Sequence, residues 1–347
     1  MTSLQFQQLL TNPEFLSREH PEGPRPPQVE VIETHISYVI LTHRYAYKIK
    51  KTARLPFLDF STLALRQHYC EQELQLNRRL APAMYRDVLP VKRHKQRIFL
   101  GAGSGETFDY ALKMQRMDTR LEMDRMLQRN EVTEYHVTGL AHRIACFHGA
   151  ATVVHPNYTT DDYQRLFRPL AEVTNSLRQA RHRTIVRNAI AVADRFVEAH
   201  AVLLRRRERE GLIRDVHGDL HCKNIFLTDP PTVFDCLEFD ATYRQIDLLD
   251  EVAFLCMDLE AYGAEVLSRF FYREYLAQTA ANGLDQVGHD ALFTYFKLYR
   301  ANVRAKVGTL QAKETPASDD GQQVERYLKL LDRYTKELSE SKPWLSG

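Results

Sequence analysis

The sequence predicts an α+β protein in which a small part rich in β-strands precedes a larger, mostly helical part. Runs of β-branched and aromatic residues fill Gln28 to Lys51 and recur between Val88 and Met114. From Thr119 onward, apolar residues recur at helical spacing instead. A strand-rich island, Asp215 to Asp240, interrupts the helices. We therefore expect a small sheet first and a helical body after it.

The elements of the small part follow a Pro- and Gly-bearing segment at Pro21 to Pro27. Gln28 to Lys51 predicts two or three short strands. Leu63 to Leu80 predicts a helix, since it has one charged and one apolar face and ends before Ala81-Pro82. Gly101 to Gly105 is expected to form a loose hairpin turn between the last two of the strands that follow. Those strands are predicted at Val88 to Val91, Arg97 to Leu100 and Thr107 to Met114.

In the larger part, the spacing of apolar residues predicts helices at His136 to Ala151, at Ile185 to Arg206, and from Ile246 to about Leu338. Breaks in the last helical stretch are expected near Gly283 and across Thr315 to Gly321. The two parts should meet near Met117, which gives domains of residues 1–117 and 118–347.

Composition narrows the class of protein. The 347 residues include 47 Lys and Arg against 45 Asp and Glu, so a net charge of +2 gives no reason to expect nucleic acid or membrane as a partner. No apolar run approaches the roughly 20 residues that cross a bilayer. The five cysteines are widely spaced and form no Cys-x-x-Cys pair, which argues against disulfides and zinc. A cytoplasmic protein with reduced thiols is expected.

The segment with most chemical information reads His217-Gly-Asp-Leu-His-Cys-Lys-Asn224, and Val233-Phe-Asp235 follows it. Asp219 and Asn224 are five residues apart, and Asp235 comes eleven residues later. Phosphoryl transfer needs a base directed at the acceptor hydroxyl, and oxygen ligands that hold Mg²⁺ against the phosphates. The segment contains residue types for all three tasks.

This pattern resembles the catalytic loop of the aminoglycoside phosphotransferase and choline kinase branch of the protein-kinase-like superfamily. The resemblance implies a bilobal protein-kinase-like fold with a β-rich N-lobe and a helical C-lobe. It implies transfer of the γ-phosphate of ATP, with Mg²⁺, to a hydroxyl of a small-molecule acceptor. It also implies that Asp219 is the catalytic base, that Asn224 and Asp235 bind Mg²⁺, and that His217 supports the loop. Gly218 stands where protein kinases usually have Arg.

Four further strings resemble a bacterial subgroup of aminoglycoside-phosphotransferase-like proteins. They lie at Thr34 to Ser37, Tyr47 to Lys51, Phe57 to Thr62 and Asn77 to Pro82. The likeness extends over most of the chain, from about residue 30 to 310. Some such proteins continue into an ATPase domain with a Gly-x-x-x-x-Gly-Lys-Ser/Thr loop, which does not occur in these 347 residues.

Nucleotide-binding residues follow from the same resemblance. Tyr45 to Lys50 resembles the strand whose Lys binds the α- and β-phosphates, and Lys48 is preferred over Lys50, which lies on the same face. The following helix offers Glu73, or alternatively Glu71, as the acid that pairs with this Lys.

The site of the nucleotide itself is expected near the linker Met114 to Asp118, with Met114 and Met117 as contacts. The sequence has no Gly-x-Gly-x-x-Gly in the small part. Cover for the phosphates is therefore assigned to the turn Thr42 to Arg44 or to Ser37. The glycines from Gly101 to Gly105 are not followed by a helix or by Lys-Ser/Thr, as a phosphate-binding loop would be.

Two acidic segments depart from the family pattern. Where that pattern has an Asp that anchors the catalytic loop, this sequence has Glu251, so the anchoring role passes to Asp247 or Asp250. Glu238 and Asp240 follow Asp235 and are candidates for a second Mg²⁺ or for the acceptor; a solvated strand end is the alternative.

Arg300 and Arg304 are four residues apart on a predicted helix, so two guanidinium groups could converge on one anion. This spacing favours an anionic acceptor over a polycationic aminoglycoside. In the alternative, both arginines pair with acids such as Glu251 or Glu260. The rival for the whole chain is a nucleotide-binding regulatory protein of the same fold that has lost transfer activity.

Overall fold

A computed structural model of the chain describes residues 3–12, 29–55, 58–168, 171, 177, 179–314 and 320–340. The segment Pro21 to Pro27 and residues 315–319 of the expected loop lie outside the described residues. By its internal contacts the chain divides into two compact units, Met1–Leu121 with Thr232–Ala241 and Glu122–Pro231 with Thr242–Gly347. The first unit thus ends at Leu121 rather than at Met117, and it includes the segment around Asp235.

The part of the first unit that precedes Leu121 contains eight strands and two α-helices among its described residues. The strands are β1 (Glu30–Glu33), β2 (Ser37–Leu41), β3 (Tyr45–Lys50), β4 (Arg54–Leu55), β5 (Leu58–Asp59), β6 (Tyr85–His94), β7 (Arg97–Leu100) and β8 (Glu106–Gln115). The helices are α1 (Ser3–Leu10) and α2 (Leu63–Asn77).

Six of these strands form one antiparallel sheet in the order β1-β2-β3-β8-β6-β7. The hairpin expected between β7 and β8 at Gly101 to Gly105 was wrong, because β6 lies between these two strands and pairs with both. The turn of the true hairpin joins β6 to β7 and contains Lys95, a non-glycine residue with a φ of 54°.

The core on this sheet contains apolar residues from β2, β3, β6, β7 and β8. Helix α1 packs Phe6 and Leu9 into the buried cluster that contains Tyr38, Ile40 and Ile49. Helix α2 packs on β6 and β8. Its first turn is capped by Thr62, whose hydroxyl oxygen accepts a hydrogen bond from the Leu65 N–H at 3.2 Å.

Helix α2 buries a polar stripe rather than an apolar one. Its buried residues Arg66, Cys70, Glu73 and Asn77 are four, three and four positions apart, which places them on one face. Arg66 Nε donates to the buried carboxylate of Asp109 at 2.7 Å. Burying such groups is stable only when each finds a partner, so this face of α2 recognises specific residues of the unit.

The second unit is mostly helical. Its helices are α3 (Met123–Gln128), α4 (Glu134–Ala150), α5 (Thr160–Arg165), α6 (Ala180–Ala199), α7 (Ala201–Arg209), α8 (Leu248–Ala261), α9 (Glu265–Ala281), α10 (Asp290–Glu314) and α11 (Asp320–Glu340). Strands β9 (Ile213–Asp215) and β12 (Gln245–Asp247) pair with each other. Strand β10 (Ile225–Phe226) also belongs to the second unit, whereas β11 (Thr232–Val233) belongs to the first.

Helix α8 is the centre of the second unit. From Leu248 to Leu259 every residue is buried, and α9, α10 and α11 pack against the helix. Its N-cap is Asp247, whose side chain accepts a hydrogen bond from the Leu249 N–H at 2.8 Å. Among the helices in the described part of the chain, none has both the length and the apolar character needed to cross a membrane.

Candidate active site

Lys48 and Lys50 project from one face of β3 and share a single carboxylate. Glu73 accepts from Lys48 Nζ through Oε1 at 2.8 Å and from Lys50 Nζ through Oε2 at 2.6 Å. Lys48 also donates to Asp235 Oδ1 at 2.8 Å, and Lys50 also donates to Glu238 Oε1. Five charges of alternating sign therefore form one row, Asp235–Lys48–Glu73–Lys50–Glu238, which we call the charge row.

The two ends of the charge row differ in their access to solvent. Lys50 is only 1% exposed, whereas the side chains of Lys48 and Asp235 are 18% and 46% exposed. A ligand can therefore reach Lys48 and Asp235 but not Lys50. Glu71, the other acid considered, is exposed and accepts a hydrogen bond from Gln67 instead.

Electrostatics keep Lys48 charged. Burial by itself would lower the pKa of Lys48, but the carboxylates of Asp235 and Glu73 raise this pKa well above its ordinary value. Burial would likewise raise the pKa of Glu73, yet Lys48 and Lys50 lower it below its ordinary value. Lys48 and Glu73 are therefore both ionised at neutral pH.

Hydrogen bonds from the backbone N–H groups of Asp235 and Cys236 hold Asp235 in position within the first unit. Its φ of 62° is left-handed, a conformation that Asp adopts more readily than most residues. The Asp235 N–H donates to the Tyr85 hydroxyl at 3.2 Å, and the next N–H, that of Cys236, donates to Asn77 Oδ1 at 2.9 Å. Glu238 is occupied by Lys50, so its proposed contact with the acceptor or a second Mg²⁺ has no support in this geometry.

The predicted catalytic loop, residues 217–224, belongs to the second unit, and its conformation depends on a glycine. Gly218 has a φ of +84°, and a Cβ there would lie 2.6 Å from the Tyr243 carbonyl oxygen. Real Cβ atoms do not approach an oxygen so closely, so the Arg that protein kinases carry here cannot fit.

Asp219 is held by two side chains of the same loop. Asn224 Nδ2 donates to the Asp219 carbonyl oxygen and to its Oδ2, both at 3.0 Å. His221 Nε2 lies 3.3 Å from the same Oδ2. Because His221 Nδ1 accepts the Lys223 N–H, its Nε2 carries the proton and donates to Asp219.

This arrangement leaves Asp219 ionised and accessible. Burial would raise the pKa of Asp219, but His221, Arg304 and His217 lower it below its ordinary value. The side chain is 30% exposed. Within the described residues, Asn224 Oδ1 accepts no hydrogen bond, since the amide nitrogen faces Asp219.

Glu251 anchors the start of the loop, so the assignment of this role to Asp247 or Asp250 was wrong. Its Oε1 accepts both the His217 N–H at 2.7 Å and the Gly218 N–H at 2.6 Å. Its Oε2 lies 2.6 Å from His148 Nε2, whose other nitrogen is 2.8 Å from the Tyr275 hydroxyl. Glu251 and His148 are fully buried.

Asp247 and Asp250 have other partners. Asp247 binds Arg207 through both oxygens, at 2.6 and 2.8 Å, which ties α7 to the start of α8. Asp250 binds Arg300 through both oxygens, at 2.7 and 3.0 Å, and Arg300 Nη1 donates to the Gly218 carbonyl oxygen at 3.2 Å. Arg300 is therefore committed to Asp250 and the loop, which corrects its assignment to an anionic acceptor.

The end of the loop is held by Asp258. Asp258 Oδ2 accepts the Cys222 N–H at 2.9 Å, and its Oδ1 accepts the hydroxyl of Tyr327 at 2.7 Å. Arg304 Nε in turn donates to the Tyr327 oxygen at 3.3 Å. The sequence interpretation missed Asp258, Tyr327 and His148, because each acts through residues distant along the chain.

The expected nucleotide contacts lie on and beside the sheet of the first unit. Met114 is buried on β8 opposite Ala46, and Met117 is half-buried just after the strand ends. Ser37 is buried at the start of β2, and Thr42 closes the β2–β3 turn by accepting the Tyr45 N–H at 3.0 Å. Their roles in nucleotide binding stay predictions.

We expect Lys50→Met to lower the free energy of unfolding by about 3–5 kcal/mol, since it leaves the buried carboxylate of Glu238 without its cation and Glu73 with Lys48 alone. The double variant Lys50→Met/Glu238→Gln should lose less than the sum of the two single losses, because the two residues contact each other. Urea unfolding followed by circular dichroism measures both.

Lys51→Met is the matched control. Lys51 pairs at 2.6 Å with Glu33, whose side chain is 62% exposed, so its loss should cost at most about 1 kcal/mol. Equal effects of the Lys50 and Lys51 substitutions, or additivity in the double variant, would contradict the proposed coupling.

Glu251→Gln should lower the free energy of unfolding by about 2 kcal/mol at neutral pH, because hydrogen bonds to a charged acceptor are weakened. Burial would raise the pKa of Glu251, but His148 and the loop N–H groups lower it below its ordinary value. Its stabilisation is therefore present above the unfolded pKa of about 4.3 and is lost as the pH falls through the lower folded pKa.

The measurement is urea unfolding between pH 7 and pH 3. The gap between wild type and Glu251→Gln should shrink as the pH falls below the unfolded value. Glu134→Gln, at an exposed position, should show no such gap. A gap for Glu251→Gln that stays constant down to pH 3 would be inconsistent with an ionised anchor.

No family model matches the chain. The chain is 31% identical over 301 residues to an uncharacterized protein of Mycobacterium tuberculosis (strain ATCC 25618 / H37Rv), a match that covers 84% of this chain and 58% of that protein. It therefore spans less than two thirds of the length of this relative.

Solved structures resemble the chain over most of its length. Choline kinase from Cryptosporidium parvum Iowa II gives a TM-score of 0.54 at 11% identity, covering 90% of both chains. A GDP complex of an aminoglycoside 2′-phosphotransferase-IIIa mutant gives 0.51 at 13%, covering 98% of this chain and 99% of the other. Amicoumacin kinase with AMP-PNP and Ca²⁺ gives 0.50 at 15%, covering 99% and 97%. These likenesses confirm the fold that the sequence implied.

Proposed function

We propose that this chain, which has the protein-kinase-like fold of the aminoglycoside phosphotransferase and choline kinase structures, transfers the γ-phosphate of ATP to a hydroxyl of a small molecule. One observation supports this function most: Asp219 is ionised, partly exposed and oriented by Asn224 and His221. A carboxylate placed in this way can accept the proton of an alcohol as it reacts.

The reaction balances as follows. The hydroxyl oxygen of the acceptor forms a bond to the γ-phosphorus while the bond from this phosphorus to the β,γ-bridging oxygen breaks. ADP leaves, and the hydroxyl proton passes to Asp219. The transferred phosphoryl group is negatively charged. The protein therefore contributes mainly by orienting the reactants and by stabilising this charge in the transition state.

Lys48 is the proposed ligand of the nucleotide phosphates. It is the accessible lysine of the charge row, and Glu73 fixes its position at 2.8 Å. Binding of phosphates would replace the contact of Lys48 with Asp235, because both ligands are anionic and compete for the same ammonium group.

Asn224 and Asp235 fit the chemistry of Mg²⁺ ligands. Asn224 presents Oδ1 and Asp235 presents an exposed carboxylate, and hard oxygen donors are what Mg²⁺ requires. Within the described ranges no three His, Cys, Asp or Glu side chains are grouped so as to hold a metal by themselves. Mg²⁺ usually takes one or two protein oxygens and completes its shell with phosphates and water. When bound, it would neutralise phosphate charge.

If Asp219 is the base, Asp219→Asn should lower turnover about 100-fold or more while the affinity for Mg–ATP changes little. The amide can still contact His221, so folding should be preserved. ADP release and the mass of a phosphorylated product from a metabolite mixture measure turnover.

Asp229→Asn serves as the control, because Asp229 is exposed and contacts only Tyr135 among the described side chains. Its turnover should equal that of wild type. Undiminished product formation by Asp219→Asn would remove Asp219 from the mechanism. Binding of Mg–ATP by wild type without any product would favour a regulatory protein of the same fold.

ATP with Mg²⁺ should raise the melting temperature of the wild type more than ATP alone does. If Asp235 binds Mg²⁺, Asp235→Asn should lose most of this additional increase. Asn is preferred to Ala, because Asn tolerates the left-handed backbone at this position. Melting temperatures with ATP alone and with Mg–ATP give the increment.

Asp240→Asn, in the same segment, is the control and should keep the full increment. The opposite pattern, with the increment intact in Asp235→Asn and absent in Asp240→Asn, would move the metal site to Asp240.

A further inference from the structure

The two arginines of α10 that lie one turn apart have different surroundings. Arg300 is buried and its guanidinium is committed to Asp250 and to the Gly218 carbonyl oxygen. Arg304 is partly exposed and uses only Nε, which donates to Tyr327. Within the described part of the chain, no acceptor binds its terminal nitrogens Nη1 and Nη2.

Arg304 is fixed beside the catalytic loop by its neighbours. Its guanidinium stacks over the Tyr327 ring, 5.3 Å from the centroid, while the hydroxyl of the same tyrosine donates to Asp258. Asp258 holds the loop at Cys222, and Arg300, one turn away on α10, holds it at Gly218. Arg304 is therefore linked through Tyr327 and Asp258 to the loop that carries Asp219, one helical turn from the Arg300 contact with the same loop.

The position is preorganised for an anion. Stacking and the Nε hydrogen bond restrict the rotation of the guanidinium, so less conformational entropy is lost when a ligand binds. The terminal nitrogens offer up to four N–H groups in a planar fork, the geometry that carboxylates and phosphates match.

We propose that the terminal nitrogens of Arg304 bind an anionic group of the acceptor and so present the acceptor hydroxyl to Asp219. The substrate class is a hydroxylated metabolite that carries a carboxylate or a phosphate. This inference rests on the proposed function, because it assigns the acceptor of that same site. Arg304 acts alone here, since Arg300 is occupied by Asp250.

The test uses the full chain and four matched three-carbon probes. Glycerol is neutral, 2-amino-1,3-propanediol is cationic, glycerate carries a carboxylate and glycerol 3-phosphate carries a phosphate. Calorimetric titration at constant ionic strength gives the dissociation constant of each probe, with and without saturating Mg–AMP-PNP. The two anionic probes distinguish a carboxylate from a phosphate.

Wild type should bind at least one anion about tenfold or more tightly than glycerol and the amine. Arg304→Gln should weaken that binding by about 10- to 100-fold, which is the usual loss for charge-assisted hydrogen bonds. Arg304→Lys, which keeps the charge but not the fork, should retain part of the preference. Arg326→Gln, at an exposed position on α11, should bind all four probes as wild type does.

Two results would overturn the inference: no preference of wild type for either anion, or an unchanged preference in both Arg304 variants. Were Arg304→Gln poorly folded, the Lys variant would decide. Failure of the proposed function is seen separately, as the absence of any stabilisation by Mg–AMP-PNP, because the titrations without nucleotide report on Arg304 alone.

Discussion

A carboxylate removed from water costs several kcal/mol unless cations or N–H groups compensate its charge, and this constraint positions the functional segments of the chain. Glu251 and Asp258 are both buried on α8, seven residues or two helical turns apart, so they lie on one face. The first accepts hydrogen bonds from the N–H groups of His217 and Gly218, and the second from that of Cys222. One rigid helix thus defines both ends of the catalytic loop.

Because of the same constraint, the conformation of the loop depends on its contacts with the helical core more than on its own sequence. Gly218 is held on both sides, through its N–H by Glu251 and through its carbonyl oxygen by Arg300. Asp219 follows directly, so its backbone has little freedom. Side chains with such support keep the geometry that catalysis needs, because their positions do not have to be ordered when substrate binds.

Local spacing predicted the parts of the site that are local. The intervals from His217 to Asn224 place Asp219 and Asn224 in contact, and a strand with Lys at alternating positions does direct both lysines to one face. The same alternation could not distinguish Lys48 from Lys50, because two residues on one face are equivalent until the burial of each is known.

Contacts between segments that are distant along the chain could not be predicted from the sequence. Glu251 was dismissed as the anchor because the family pattern has the shorter Asp there, yet its extra methylene is accommodated and His148, 103 residues away, supports its second oxygen. The supposed hairpin at Gly101 to Gly105 failed for a similar reason. Glycines show where a chain can turn, but pairing depends on which strand fills the space beside β7.

The arginines of α10 show how neighbours, rather than spacing, decide the role of a charge. A separation of four residues places Arg300 and Arg304 on one face of the helix. Asp250 neutralises the first, whereas the second, among the described residues, donates to a tyrosine hydroxyl and stacks on the same ring. The same type of side chain is thus paired with a carboxylate in one turn and hydrogen-bonded to a neutral hydroxyl in the next.

The burial of Glu73 explains why the charge row contains a second lysine, Lys50. Glu73 is fully buried, so it must keep a cation at all times. If Lys48 were its sole partner, any shift of Lys48 toward a phosphate would leave this carboxylate uncompensated, and that cost would oppose binding. Lys50 removes the conflict, because it stays on Glu73 and is itself neutralised by Glu238. Lys48 can then exchange Asp235, at the exposed end of the row, for a ligand while the buried end remains unchanged.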